Sequence, residues 1–266
     1  MYKIQVDPHT HTLASGHAHS TIEENARHAQ EKGLTAIAMS DHYGPFFTPL
    51  QANGMPVFGP MMNMDALPKV IHGIRILSSA EIDIMDKEGH LFTWDMRHPG
   101  MPDDASILDR LLKTRDIGIA SVHNYSSHLQ LTQDEGTVMY MNALKTPGIH
   151  IIAHPGRAGV PFDIEKVVMC AKEQGKMLEI NNHSFDFGEK VHALCRDIAL
   201  SCKKHGTMVV VSSDAHSAFD VGQFDAALKM LEEIDFPDEL IANTTLERLL
   251  ETVENANKMG GYKNGI

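Results

Sequence analysis

Seven short runs of β-branched and apolar residues recur along this 266-residue chain, and stretches with helical periodicity lie between them. The runs fall at 3–8, 36–41, 74–84, 117–123, 149–154, 177–182 and 208–214. Most are nearly continuous apolar segments, the pattern of parallel strands covered on both faces. Between them, Ser20 and Glu23 have the spacing of a capping box, and Gly33 suits the close of that helix. Ile107, Leu108, Leu111 and Leu112 form one helical face. Asp163 is placed to cap a helix through Val167, Val168 and Ala171 that ends at Gly175, and a longer helix is predicted from about Gly188 to Gly206. Thr244 with Glu247 predicts the cap of a last helix carrying Leu246, Leu249, Leu250 and Val253 on one face. Strand–helix alternation over a whole chain predicts a parallel α/β fold. A doubly wound sheet and a barrel both satisfy it. Seven units with polar residues at every strand end favour a seven-stranded (β/α) barrel, expected to occupy 1–266 as a single domain. The exception is 43–73, rich in Met, Pro and Gly, whose first half reads as a long loop over the barrel mouth.

A barrel brings the C-terminal ends of its strands to one face, so the residues at those ends matter most. The chain has 17 histidines against 3 cysteines. Strand one runs into Asp7-Pro8-His9-Thr10-His11, with His17 in the following loop, and a two-residue period sends Asp7, His9 and His11 to one side. Strand two ends in Asp41-His42, strand three carries Glu81, and strand four ends in His123-Asn124. Strand five ends in His154-Pro155-Gly156, and strand seven in Asp214-Ala215-His216. One His-x-His is a weak signal; repeated His, Asp and Glu at converging ends are a strong one. The nine candidate ligands are His9, His11, His17, His42, Glu81, His123, His154, Asp214 and His216. They exceed the three or four protein ligands of one catalytic zinc. Two or three ions are the natural count, with Glu81, read as the only central glutamate, as the bridging carboxylate. His19 rivals His17, but it stands at a helix start where a solvated residue is ordinary.

This ordered set, together with LEINNHSF and SSDAHSAFDVGQF, resembles the PHP (polymerase and histidinol phosphatase) superfamily, and within it the small YcdX-like phosphatases. The resemblance runs from about residue 2 to about 250. It implies a distorted seven-stranded (β/α) barrel with a site of three divalent ions. His9, His11, Glu81 and Asp214 would hold the first ion. Glu81, His123 and His154 would hold the second, with a hydroxide bridging the two. His17, His42 and His216 would hold the third. Family members vary among zinc, manganese and iron, and imidazole-rich ligation makes zinc the first expectation. The implied activity is hydrolysis of small phosphomonoesters, with Asp41 or Asp214 passing the proton.

Other residues carry two readings each. Arg157 is placed to clamp phosphate or to stand at the surface. His128 and His183 lie in strand-end loops within reach of a substrate, and His183 departs from the family form, which has a small residue after Asn181-Asn182. Those two asparagines read as contacts for substrate or for a ligand. Asp7 either orients a ligand imidazole or is a buried polar residue with its own partners. Met55, Met61, Met62 and Met64 read as gap-filling core or an adaptable lid. His28, His72, His90, His98, His150, His192 and His205 read as solvated surface. Cys195 and Cys202 read as packed core thiols.

The formal charge of −12 argues against binding of long nucleic acids or anionic membranes. Three divalent ions would add roughly +6 at one face, so a small phosphate ester remains compatible with it. Neither a signal peptide nor a membrane span is read, which makes the cytoplasm the expected compartment. Rival activities are a histidinol-phosphate phosphatase and a nucleotide phosphodiesterase or exonuclease. A rival of another class is a non-catalytic metal-binding module.

Overall fold

The computed structural model describes residues 2–57, 60–98, 104–123 and 130–262. Its strands are β1 (Val6–Thr10), β2 (Ala36–Met39), β3 (His42–Tyr43), β4 (Val70–Ile71), β5 (Ile74–Asp83), β6 (Ile117–Ser121), β7 (Ile151–Ile152), β8 (Met177–Asn181) and β9 (Val209–Ser212). Seven of them pair in parallel in the order β1-β2-β5-β6-β7-β8-β9. The two edges meet where Thr10 bridges Ala215, the His11 N–H donates to the Ala215 carbonyl at 2.8 Å, and the Asp214 N–H donates to the His9 carbonyl at 3.0 Å. The result is a nearly closed (β/α) barrel, and all seven predicted strand runs fall on its staves.

The two short strands were not foreseen. β3 runs beside β5 and sets His42 opposite Glu81. β4 folds back on β5 as an antiparallel hairpin whose turn residues His72 and Gly73 both have positive φ, 51° and 79°. Turns of that kind match the twist of the strands they join.

Both faces of the barrel wall are apolar, which explains the unbroken apolar runs. Inside, Val6, Ala38, Leu77, Ile119, Met177 and Val210 form a cluster of their own, and Leu249 and Val253 of the last helix pack into it and plug the end opposite the strand C-termini. Outside, Ile37, Ile76, Ile82, Leu178, Ile180 and Val211 join the core beneath the surrounding helices. The two-residue period then carries the inner row upward: Leu77 leads to Ser79 and Glu81, Met177 to Glu179 and Asn181, and Val210 to Ser212 and Asp214. The barrel therefore changes from apolar to charged within one strand repeat.

The helices are α1 (Ile22–Glu31), α2 (Ile107–Lys113), α3 (Gln133–Lys145), α4 (Ile164–Glu173), α5 (Glu189–His205), α6 (Asp225–Glu233) and α7 (Leu246–Met259). Asp163 caps α4 as expected, and Gly175 and Gly206 follow α4 and α5 at positive φ. Two caps are corrected by one residue. The capping box of α1 is Thr21 with Glu24, because the Ser20 hydroxyl accepts the Ala218 N–H at 2.7 Å instead. The cap of α7 is Thr245, and the Thr244 hydroxyl accepts from the Arg248 guanidinium at 2.9 Å.

His150 is corrected more fully. It is not solvated but 1% exposed, accepting the Gly118 N–H on Nδ1 at 3.0 Å and facing Asn257 Oδ1 at 2.9 Å through Nε2. Cys170, Cys195 and Cys202 are buried free thiols. Met55 and Met64 are partly buried against the core. Among the described residues, no helix is long and apolar enough to cross a membrane.

Candidate metal centre

The ends of β1 and β5, the short strand β3 and the loops after β6, β7 and β9 place eight of the nine candidate ligands around the buried carboxylate of Glu81 or one imidazole beyond it. Glu81 is wholly buried, and its two oxygens face different partners. Oε1 lies 2.7 Å from His154 Nε2 and 3.5 Å from His123 Nε2. Oε2 lies 2.7 Å from His42 Nδ1, 3.4 Å from His9 Nε2 and 3.6 Å from His11 Nε2. Asp214 joins from the β9 side, with Oδ1 3.0 Å from His11 Nε2 and 3.6 Å from His9 Nε2. The ninth, His17, stacks on His42 and lies against His216 at centroid distances of 5.0 and 4.5 Å.

Three overlapping groups have donor atoms within 4.8 Å of one another: His9, His11 and Asp214; His42, Glu81 and His123; and His11, His42 and His216. His42 belongs to two of these groups. The register of β3 against β5 places it there, beside Glu81.

The hydrogen bonds around the imidazoles fix which nitrogen faces the cluster. His9 donates Nδ1–H to Glu179 Oε1 at 2.7 Å, and His123 donates Nδ1–H to Asp83 Oδ1 at 2.6 Å. His216 donates Nδ1–H to the Asp214 carbonyl at 3.0 Å, and His17 to the Ser15 carbonyl at 3.1 Å. The hydroxyl of Ser15 donates to Asp41 Oδ1 at 2.6 Å, so it accepts Nδ1–H from His11 at 2.9 Å. For His9, His11 and His123 the outward Nδ1–H turns the Nε2 lone pair toward Glu81 or Asp214. This is the arrangement of metal-bound histidines, whose second nitrogen is tied to a carboxylate, hydroxyl or carbonyl.

Several buried polar atoms here have no hydrogen-bond partner: His9 Nε2, both nitrogens of His42, His154 Nδ1, His216 Nε2 and Glu81 Oε2. Buried polar groups normally find partners. A carboxylate oxygen 2.7 Å from an imidazole nitrogen, yet not aligned to bond it, has the relation of two donors to a common cation. The donor set of imidazoles and carboxylates fits borderline divalent ions.

Charge follows the same geometry. Burial opposes ionisation of Glu81, but His9, His123 and His42 hold its carboxyl well below the usual range. Burial likewise opposes ionisation of Asp214, and His9 and Arg157 override it. Burial pushes His216 down to about 4, which keeps its imidazole neutral. Two residues of this set, His154 and Asp214, have positive φ, 31° and 57°. Such backbone conformations cost energy in non-glycine residues and concentrate at functional sites.

The remaining candidates divide. Arg157 reaches the cluster: Nη2 pairs with Asp214 Oδ2, Nη1 donates to Asn181 Oδ1 at 3.1 Å, and the Phe187 ring lies 5.5 Å from the guanidinium carbon. His183 is half exposed and pairs with Asp186 at 2.9 Å. It lines a cavity of about 140 Å³ that also touches Asp214, His216, Asp220 and Gln223. His128 lies outside the described residues. Asp41 accepts from the Thr12 N–H at 2.7 Å, the Thr12 hydroxyl at 2.8 Å and Ser15, so its oxygens serve the loop that carries His11 and His17. Asp7 accepts from the Ser213 N–H and hydroxyl and from the Gly222 N–H, the reading of a buried group with its own partners. Burial raises its carboxyl to about 6. Asn182 Oδ1 accepts the Ala227 N–H at 3.1 Å and positions α6.

Three residues were missed from sequence. Glu81 is not the only central glutamate: Glu179 lies one layer below, and its signal was the two-residue period back from Asn181. Asp83 lies one two-residue period beyond Glu81, at the last position of β5. Phe47 stacks on His42 with centroids 4.1 Å apart, bringing the 43–73 loop onto the site. Nothing in its local sequence marks it.

The chain matches the PHP domain family over residues 7–183. A protein of Acetivibrio thermocellus named "probable phosphatase" is 40% identical over 252 residues, covering 95% of this chain and 96% of the relative. Another so named, from Caldanaerobacter subterraneus subsp. tengcongensis, is 40% identical over 264 residues, with 98% and 96% covered. Among solved structures, the histidinol phosphate phosphatase of Lactococcus lactis subsp. lactis, complexed with zinc, L-histidinol and phosphate, aligns with a TM-score of 0.56 at 16% identity. The alignment covers 88% of this chain and 94% of that one. A chain of archaeal ribonuclease P with mature tRNA aligns with a TM-score of 0.52 at 13% identity, covering 98% and 96%. At such identities the two structures share the fold alone.

Proposed function

This chain belongs to the PHP domain family, and from that premise we propose that it is a metal-dependent phosphatase acting on small phosphomonoesters, with 1–266 working as one barrel domain. The observation that carries the reading is the set of imidazole nitrogens and carboxylate oxygens converging on Glu81, with buried members that no hydrogen bond satisfies. We assign three divalent ions to it, zinc first. His9, His11, Glu81 and Asp214 would hold one, and Glu81, His123 and His154 a second, because the two oxygens of Glu81 face these two sets separately. His17, His42 and His216 would hold the third. When bound, such ions acidify water and neutralise phosphate charge.

The chain's own residues supply position. Arg157, held by Asp214 and Asn181 and lying over Phe187, has guanidinium N–H groups beyond those two bonds, and we assign them to phosphate oxygens. Of the two candidate carboxylates, Asp214 lines the cavity and Asp41 does not, and we assign Asp214 the exchange of a proton on the leaving-group side. Asp41 acts on His11 through Ser15. His183 lines the same cavity and contacts the leaving group, and we place His128 in that role as well.

The protein supplied with zinc or manganese is expected to release p-nitrophenolate from p-nitrophenyl phosphate, to stop after chelation, and to recover on metal addition. Undiminished turnover after metal loss verified by elemental analysis would refute the reading. So would metal binding without turnover of p-nitrophenyl phosphate, histidinol phosphate or a nucleotide, which is the behaviour of the non-catalytic module.

A further inference from the structure

Glu179 lies wholly inside the barrel, one inner-row step below Asn181, and its two oxygens meet four donors. Oε1 accepts His9 Nδ1–H at 2.7 Å and the Ser212 hydroxyl at 2.6 Å. Oε2 accepts the His154 backbone N–H at 2.6 Å and Asn181 Nδ2–H at 3.1 Å. Asn181 Nδ2 also approaches Asp214 Oδ2 at 3.3 Å. Every partner is a donor, so Glu179 has no lone pair left over for an ion, and it is not itself a ligand. Instead it joins residues from β1, β8, β9 and the loop after β7, one of them a candidate ligand and another the backbone of one.

We infer that Glu179 is a positioning residue of the metal centre, fixing the tautomer of His9 and holding the backbone of His154 in its positive-φ conformation. The inference rests on the metal reading above. A carboxylate on Nδ1 obliges His9 to carry its proton there, which leaves Nε2 as a lone pair aimed between Glu81 and Asp214. The His154 N–H, donated to the same carboxylate, is at the residue whose φ is 31°. One buried charge thus sets a ligand for the first ion and a ligand for the second.

Glutamine at 179 keeps the shape but must turn its NH₂ toward one pair of donors. If that pair is His9 and Ser212, His9 has to present Nδ1 as acceptor and move its proton to Nε2, where it blocks the ion. The test is zinc affinity and stoichiometry of the full chain, measured by competition with a chromophoric chelator and by elemental analysis. Glu179→Gln is expected to lose zinc affinity about 10- to 100-fold at one or two ions, while metal-free protein keeps its circular dichroism. In the cobalt-substituted protein, the visible absorption band is expected to shift, which a packing defect remote from the ligands would not cause.

Glu179→Asp, one methylene shorter, keeps the charge but cannot span His9 and His154 together. It is expected to lose affinity too, and it serves if the glutamine variant does not fold. Wild-type affinity and an unshifted cobalt band in whichever variant folds would overturn the inference and leave the metal reading standing. Failure of the wild-type chain to bind zinc at all would overturn both.

Discussion

Glu81 sends its two oxygens in different directions, and this divergence is what makes a multi-ion site credible at the scale of one residue. Glu81→Gln replaces one acceptor by a donor among imidazoles and is expected to reduce phosphatase kcat/KM by at least about 100-fold, with loss of more than one bound ion by elemental analysis. Arg157 makes a sharper test of substrate contact. Arg157→Lys keeps the charge and loses the fork, so KM for p-nitrophenyl phosphate is expected to rise about tenfold, with bound metal unchanged. An unchanged KM would place Arg157 in support of Asp214 alone. His150, remote from the site, gives a pH signature. Burial lowers its pKa to about 4 from an ordinary 6.5. The unfolded chain therefore binds a proton between pH 6.5 and 4 that the native state refuses. Stability from this residue is complete above pH 6.5 and is lost as pH falls toward 4, by about 3 kcal/mol in all. Urea unfolding of metal-free protein at pH 7.5 and 4.5 checks it, and His150→Gln is expected to flatten the difference. The predicted strand run 149–154 contains His150, but a polar residue at the closed end of the barrel, without a motif, gives no local mark that its imidazole is buried.

At the scale of elements, the staves were legible and the short pieces were not. Long apolar runs such as 74–84 and 208–214 announce parallel strands, since both faces are buried. β3 and β4 are two residues each and owe their existence to β5 beside them, so no local period could reveal them. Caps slipped by one residue for a similar reason: Ser20 is a sound helix cap in isolation, but Ala218 claims its hydroxyl. Thr21→Ala is accordingly expected to cost about 1 kcal/mol of unfolding free energy through loss of the α1 capping box, measured in denaturant. The motif histidines were legible because strand ends converge; Glu179 sits one repeat before the end of β8 and Asp83 at the end of β5, and neither belongs to a motif. Gly44, in the turn after β3, shows how tightly that tier is packed. A Cβ there would lie 1.9 Å from Asp83 Oδ2. Gly44→Ala is therefore expected to displace Asp83 from His123 and to weaken metal retention about tenfold, read by chelator competition; unchanged retention would show that Asp83 does not orient His123.

For the whole molecule, the barrel places an apolar plug at one end and a concentrated set of titratable groups at the other. Bound ions would tie together ligands from six strands or the loops that follow them, so occupancy is expected to act on global stability. With free zinc a thousandfold above its dissociation constant, binding adds about 4 kcal/mol per site, and Tm is expected to rise by roughly 8 °C or more over the chelated protein. With a net charge of −12, ions bound at the mouth would make that end locally positive, where a small phosphate ester is expected to bind. The most direct test is a crystal structure of the zinc-loaded protein with anomalous diffraction collected on both sides of the zinc absorption edge. Three anomalous peaks are expected among the nine candidate ligands, with Glu81 between two of them. Fewer than two fully occupied ions there would contradict the metal assignment.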